Sequence, residues 1–338
     1  GQCCLRPAGG LSDGGGAGGG RGGGVRPAAD GAPAAQEEQA PGNFDPGQRD
    51  GFGLASNGAD LVYTDDEIAS YSDIFDNAVT DVQNADCQRV IAALKTLSTG
   101  KDLETCVDVD AVLRYFAAHN FVLNGDSYTG SMLHNYYLYE TGGRLSMLPW
   151  DYNLAFGGFM MQEDAAALVN SPIDTPLSTQ DADARPMWSK LAQNETYLAQ
   201  YHAIYDELLT GYFENGVCEA EIDAIDALVR PYVAQDPTAF YTVEQYDAAV
   251  DALKTFCLLR AQSIRGQLDG DIPATKTGQL QQPETLVDSS GLQMEDLGGQ
   301  QSGGFGGSFP DGRMEPPAVP GMAPEDWQGQ TPDMAGST

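Results

Sequence analysis

Between residues 124 and 159 the chain reads NGDSYTGSMLHNYYLYETGGRLSMLPWDYNLAFGGF, and the spacing of its apolar residues changes there. That change constrains the fold more than any other feature. Upstream, ADCQRVIAALKTL (85–97) places Val90, Ile91, Leu94 and Leu97 on one face and stops at Ser98-Thr99-Gly100, the signature of a helix with a glycine stop. DVDAVLRYFAAHNFVLNG repeats the pattern through Val109, Val112, Leu113, Phe116 and Phe121, with Asn124-Gly125 as the expected left-handed stop. Then HNYYLYE and RLSMLPW, short and rich in Tyr, Leu and Met, flank TGGR, whose two glycines predict a hairpin turn. From 187 to about 268 the helical period returns in three runs. Arg230-Pro231 is expected to end or kink the second, and Asp236-Pro237 to mark the turn before the last. These periods predict an α+β chain, mostly helical with one small hairpin in its middle.

The flanks are different in kind. LSDGGGAGGGRGGGVRPAADGAPAAQEEQAPG is low-complexity and has neither the strand before nor the helix after that a phosphate-binding glycine loop needs. Segments with so few large apolar residues cannot bury enough surface to offset chain entropy. The expected organisation is a Gly-rich low-complexity segment or insert over 1–55, one folded domain over 56–270, and a disordered Gly/Pro/Gln-rich tail over 271–338. The chain opens GQCC rather than with Met and shows no export signal, so processing or truncation is expected to have removed the true start.

Composition removes several function classes. A formal net charge of -32 argues against binding a phosphate backbone, so no nucleic-acid partner is expected. Such a surface attracts cations and basic proteins instead. No run of about 18 apolar residues occurs, so no membrane span is expected in this chain. The six cysteines have no CxxC spacing, which argues against zinc and leaves disulfide pairing open. Cys87 and Cys257 fall in helical patterns and read as buried small hydrophobes. His119, His134 and His202 are too few and too separated for a His-rich metal site.

The chemistry is concentrated at the hairpin. Asp126 follows the first helical stop and Asp151 follows the second strand, and a hairpin returns the chain to where it started, bringing the two carboxylates near one another. His134 and Asn135 open the first strand at the same end. Two carboxylates plus an amide suit Mg²⁺ or Mn²⁺ held between protein and substrate phosphates, because hard cations want oxygen ligands. Protein kinases use an Asp, an Asn and a second Asp around a short strand pair in this way. Here Asp126 and Asn135 are nine positions apart, wider than in kinases, and neither HRD nor DFG occurs. Turn-shaping by Asp126 and capping by Asp151 are the structural alternatives. Tyr136, Tyr137, Trp150 and Phe156 read as core, which weighs against a glycoside hydrolase built on the Asp pair.

NGDSYTGSMLHNYYLYE, LSMLPWDYNLAFGGF, SPIDTP and RPMW together resemble the spore coat protein H (CotH) family, from about Gly58 to Gly270. CCLRPAGG followed by a glycine-rich run is similar to a segment that precedes an insert in many relatives. The resemblance implies an atypical protein-kinase-like fold: a mostly helical large lobe with a β-hairpin at the active site, the small lobe largely missing. It further implies transfer of a phosphoryl group from ATP to Ser of a coat or surface protein, with Mg²⁺ or Mn²⁺ as cofactor. Asp126 would be the catalytic carboxylate, Asp151 a metal ligand and Asn135 a second metal ligand. Bacterial origin and a spore-coat or cell-surface location follow by the same analogy. The phosphate-gripping Lys of the small lobe is expected to lie before Gly1, since no lysine precedes Lys95. The alternative function is a non-catalytic coat or surface assembly module of pseudokinase type.

Overall fold

The structure, a computed structural model, describes residues 2–5, 58–159, 164–239 and 241–298. The glycine-rich run and the last forty residues lie outside the described residues. Described elements follow the chain as β1 (Gln2–Leu5), α1 (Ser72–Phe75), α2 (Asn84–Thr99), α3 (Val109–Val122), β2 (Tyr136–Thr141), β3 (Arg144–Pro149) and α4 (Ala165–Val169). Then come α5 (Pro186–Ala192), α6 (Glu195–Leu208), α7 (Val217–Val233), α8 (Val243–Asp269) and α9 (Lys276–Gln281). The chain is α+β: a helical body carrying one small antiparallel sheet. Among the described residues no helix is long and apolar enough to cross a membrane.

The hairpin forms where the two glycines predict it. Gly142 and Gly143 have φ of 61° and 86°, the pair of positive values that matches the twist of a two-residue hairpin turn. This sets the register Leu138↔Met147 and Glu140↔Leu145, so Tyr136, Leu138, Leu145 and Met147 share the buried face. A third strand joins: β1 pairs antiparallel with β2, Leu5 opposite Leu138, so four residues of the presumed low-complexity segment belong to the sheet. On the other edge Asp108 N donates to Leu145 O and Leu145 N to Cys106 O, each at 2.8 Å, which ties the start of α3 to β3.

Glu140 points inward from β2 and is completely buried. Arg89 of α2 meets it with Nε on Oε1 at 3.0 Å and Nη2 on Oε2 at 2.8 Å, and Gly143 N donates to Oε1 at 2.7 Å. A buried carboxylate persists only when paired and hydrogen-bonded in this way. The helix α2 itself begins with a capping box, Gln83 with Asp86, and ends on Gly100 at φ 67°.

The helical body packs through aromatic contacts: Phe116 of α3 on Trp188 of α5 at 5.1 Å, Trp188 on Tyr201 of α6 at 4.9 Å, and Phe121 stacked on Phe213 at 4.0 Å. Arg260 of α8 is also fully buried. Its guanidinium donates to Val169 O (3.1 Å), Ser171 O (2.6 Å) and Asn120 O (3.0 Å). These include carbonyls at the C-terminal ends of α3 and α4, where helix dipoles favour a cation. Arg230-Pro231 does not end α7, which continues to Val233.

The folded body runs past 270. In the segment 271–298, assigned to the tail by composition, Ile272 and Leu292 are buried. Asn170 clamps the backbone of Val287, donating to its carbonyl at 3.0 Å and accepting from its N–H at 2.9 Å. Few apolar anchors and side-chain-to-backbone bonds hold this segment, so hydrophobic period gives no sign of it.

Candidate functional site

The helix α3 ends one residue earlier than its sequence implies. Leu123, not the Asn124-Gly125 pair, takes the left-handed conformation at φ 50°. That releases Asn124, whose Nδ2 donates to Asp151 O at 3.2 Å and so stitches the two ends of the hairpin together. Trp150 N donating to Asn135 O at 3.3 Å is a second stitch. Residues 125–130 then fold on themselves: a Cβ on Gly130 would lie 1.8 Å from Gly125 O, so no other residue fits there.

Asp126 sits in this loop, mostly buried. Asn135 Nδ2 donates to its Oδ2 at 3.0 Å, and His134 Nδ1 lies 3.8 Å from its Oδ1. Burial is the main cause of an upward shift in the Asp126 carboxyl, with His134 and Asn135 opposing it and the nearby Asp151 charge adding to it. Asp151, one residue past Trp150, is exposed and has φ 51°. The structure thus brings Asp126, His134, Asn135 and Asp151 to one end of the hairpin.

Three polar atoms of this cluster, Asn124 Oδ1, Asp126 Oδ1 and His134 Nε2, are buried without a hydrogen-bond partner. Each such atom costs about 1–3 kcal/mol. Left-handed backbone at Leu133 (φ 59°), Asn135 (φ 56°) and Asp151 adds further strain around the same point. Three of the six such atoms among the described residues fall in this cluster, and their coincidence with left-handed backbone makes it the candidate site. Among the described residues no group of three or more His, Cys, Asp or Glu could hold a metal ion. Two carboxylates and an amide oxygen are still a hard-cation donor set, of the kind completed by phosphate oxygens.

Two residues that hold the site escaped sequence reasoning. His119, buried on α3, spans both loops: Nε2 lies 2.7 Å from Thr129 Oγ1, Nδ1 lies 3.2 Å from Tyr152 OH, and its ring stacks on Tyr115. Burial lowers its pKa to about 3, so the imidazole stays neutral. Its signal was its place four residues after Tyr115 on a buried face. Arg185, in the RPMW stretch, donates Nε to Tyr128 O at 2.8 Å and Nη2 to Gly130 O at 2.9 Å, fixing the loop from the far side. Of the four aromatics assigned to the core, Tyr136 is fully buried, whereas Trp150 is exposed and packs edge-on to Tyr137 at 5.0 Å. The five described free thiols include Cys87 and Cys257, both buried as expected.

The chain matches the family model described as CotH kinase protein (CotH) over residues 45–264, well over half its length. No curated protein matches it. The chain belongs to the CotH kinase family.

Proposed function

We propose that this member of the CotH kinase family transfers a phosphoryl group from ATP to serine side chains of a coat or surface protein. The hairpin and its two loops are read as the counterpart of the catalytic and metal-binding loops of protein kinases. One observation carries this reading: Asp126 Oδ1 and His134 Nε2, buried without a hydrogen-bond partner near the exposed Asp151.

In this reading Asp126 is the catalytic carboxylate. Its Oδ2 is held by Asn135, which orients the group, while Oδ1 is left to accept the proton of the acceptor hydroxyl. His134 covers Oδ1, so the acceptor reaches it by displacing the imidazole. Desolvation raises the basicity of Asp126, which suits a group that must accept a proton at neutral pH. Asp151, with Asn135 Oδ1 as second ligand, would hold Mg²⁺ or Mn²⁺. The ion when bound supplies charge neutralisation on the phosphate oxygens. His119 and Arg185 act as positioning residues, since they hold the loops and touch no reacting atom. Bacterial origin and a place in the spore coat or at the cell surface complete the proposal by family analogy.

The test is a thermal-shift titration of the chain with ATP and Mn²⁺, beside Asp151→Asn, which retains a residue tolerant of the left-handed backbone. Stabilisation that needs both ligands and vanishes in the variant supports the site. An equal shift in both proteins sinks the metal assignment, and no shift in the unaltered chain favours a non-catalytic assembly module.

A further inference from the structure

Helix α7 is continuous through Pro231, yet most of its large apolar residues beyond Ile222 face outward. Only Cys218 is buried. Ile225 (58% exposed), Leu228 (68%), Val229 and Tyr232 (72%) follow one another at i, i+3, i+4 and i+7, forming a single stripe that no described residue covers. Isolated exposed apolar residues are ordinary, but a contiguous stripe on one helix face marks a contact surface.

The charge around the stripe has one sign. Helix α7 carries Glu219, Glu221, Asp223 and Asp226 against Arg230, and the first half of α8 carries Glu244, Asp247 and Asp251 against Lys254. Both cations are already engaged: Arg230 makes two bonds of 2.7 Å to Asp247, and Lys254 pairs with Asp223. Where α7 ends, Val233 borders a cavity of about 590 Å³ whose charged lining is Asp236, Glu244, Glu295 and Asp296, with no Lys or Arg among the described residues. A second copy of this chain would set acid against acid, at a net charge of -32 each.

We propose that the outer face of α7 is the docking surface for a basic amphipathic helix of a partner protein. Its apolar side would cover the stripe from Ile225 to Tyr232, and a flanking Lys or Arg would enter the acidic cavity beyond Val233. The surface is made of elements separate from the hairpin site, so it stands whether or not that site transfers phosphate.

The probe is a fluorescein-labelled amphipathic peptide of Leu and Lys, about 18 residues or five helical turns long. Its binding to the full chain is followed by anisotropy at about 0.15 M salt. The critical variant is Ile225→Asp with Leu228→Asp. It adds negative charge, so adsorption by charge alone would tighten, whereas a docked helix loses its apolar anchor. The expected result is saturable binding that the double variant weakens at least about tenfold, about 1.4 kcal/mol. Neither a Leu/Glu peptide nor a scrambled Leu/Lys peptide should bind, and the circular dichroism and melting temperature of the variant should be unchanged. Unchanged or tighter binding by the variant overturns the proposal. So does a dimer of the chain in sedimentation that the variant abolishes, or stripe-dependent binding to phosphatidylcholine vesicles.

Discussion

The loops around the hairpin and the helix pair α7–α8 depart from ordinary protein structure in opposite ways. Leu123, Leu133, Asn135, Asp151 and Phe156 take left-handed backbone within a span of 34 residues, and among the described residues no non-glycine position does so beyond Phe156. Polar groups are turned inward there and some stay unsatisfied. In α7 the helix is continuous and has no left-handed residue, and what is reversed is the pattern, with apolar groups turned outward. The first departure strains the chain in order to hold a few atoms in place. The second keeps the helix continuous and leaves apolar area that no described residue covers. Chemistry needs fixed atoms, whereas recognition needs uncovered area, and on the proposed readings the two regions separate these requirements.

Measurements can break or sharpen that contrast. The largest effect is expected at Asp126: replacement by Asn should lower phosphoryl transfer by about 10²–10⁴-fold, while Ile225→Asp with Leu228→Asp leaves the rate unchanged. If both variants lose activity together, the two regions are one site. Next is Arg89→Met, which strands Glu140 in the core and should cost about 3–5 kcal/mol in a urea titration. A loss under 1 kcal/mol would mean that the sheet does not depend on this pair.

An effect of similar size, spread over several pH units, is set by pH. His119 has a pKa of about 3 in the fold against about 6.5 when unfolded. The unfolded chain therefore takes up the proton first, and stability falls as pH drops from about 6.5 towards 3, by up to about 1.4 kcal/mol per pH unit from this residue. His119→Gln should flatten that part of the profile, and identical slopes in both proteins would contradict the buried neutral imidazole. The smallest effect belongs to α7. Leu228→Ala should change stability by no more than about 0.5 kcal/mol, and a core-sized loss would show that the stripe is covered within the chain.

What could be read from the sequence follows from how local each feature is. Gly142-Gly143 and Gly100 announced a hairpin and a helix stop because a positive φ is a demand on one residue. The hairpin in turn brought Asp126 and Asp151 together, since two strands of known length can only return to one place. The end of α3 was misread because Asn124 has a better use for its side chain, a bond to Asp151 O, than capping the helix. His119 and Arg185 were not legible as supports, because their partners become neighbours only after the domain packs. The strand at Gln2–Leu5 was hidden by the glycine-rich run behind it, and residues 271–298 by their sparse apolar content.

That first strand has a consequence for the integrity of the molecule. Leu5 is completely buried and bridges to Ala78, and the described chain resumes at Gly58, so this edge of the sheet depends on the covalent connection between those two points. Halving the number of residues in a connection of this kind changes its closure entropy by only about 0.6 kcal/mol, so the domain is nearly indifferent to its length. It is not indifferent to its continuity. Its connection to the body keeps β1 beside β2 at the millimolar effective concentration a tether provides, and a single protease cut between Leu5 and Gly58 would remove that tether. Such a cut would remove one edge of the sheet that carries the hairpin without breaking a bond in the hairpin itself.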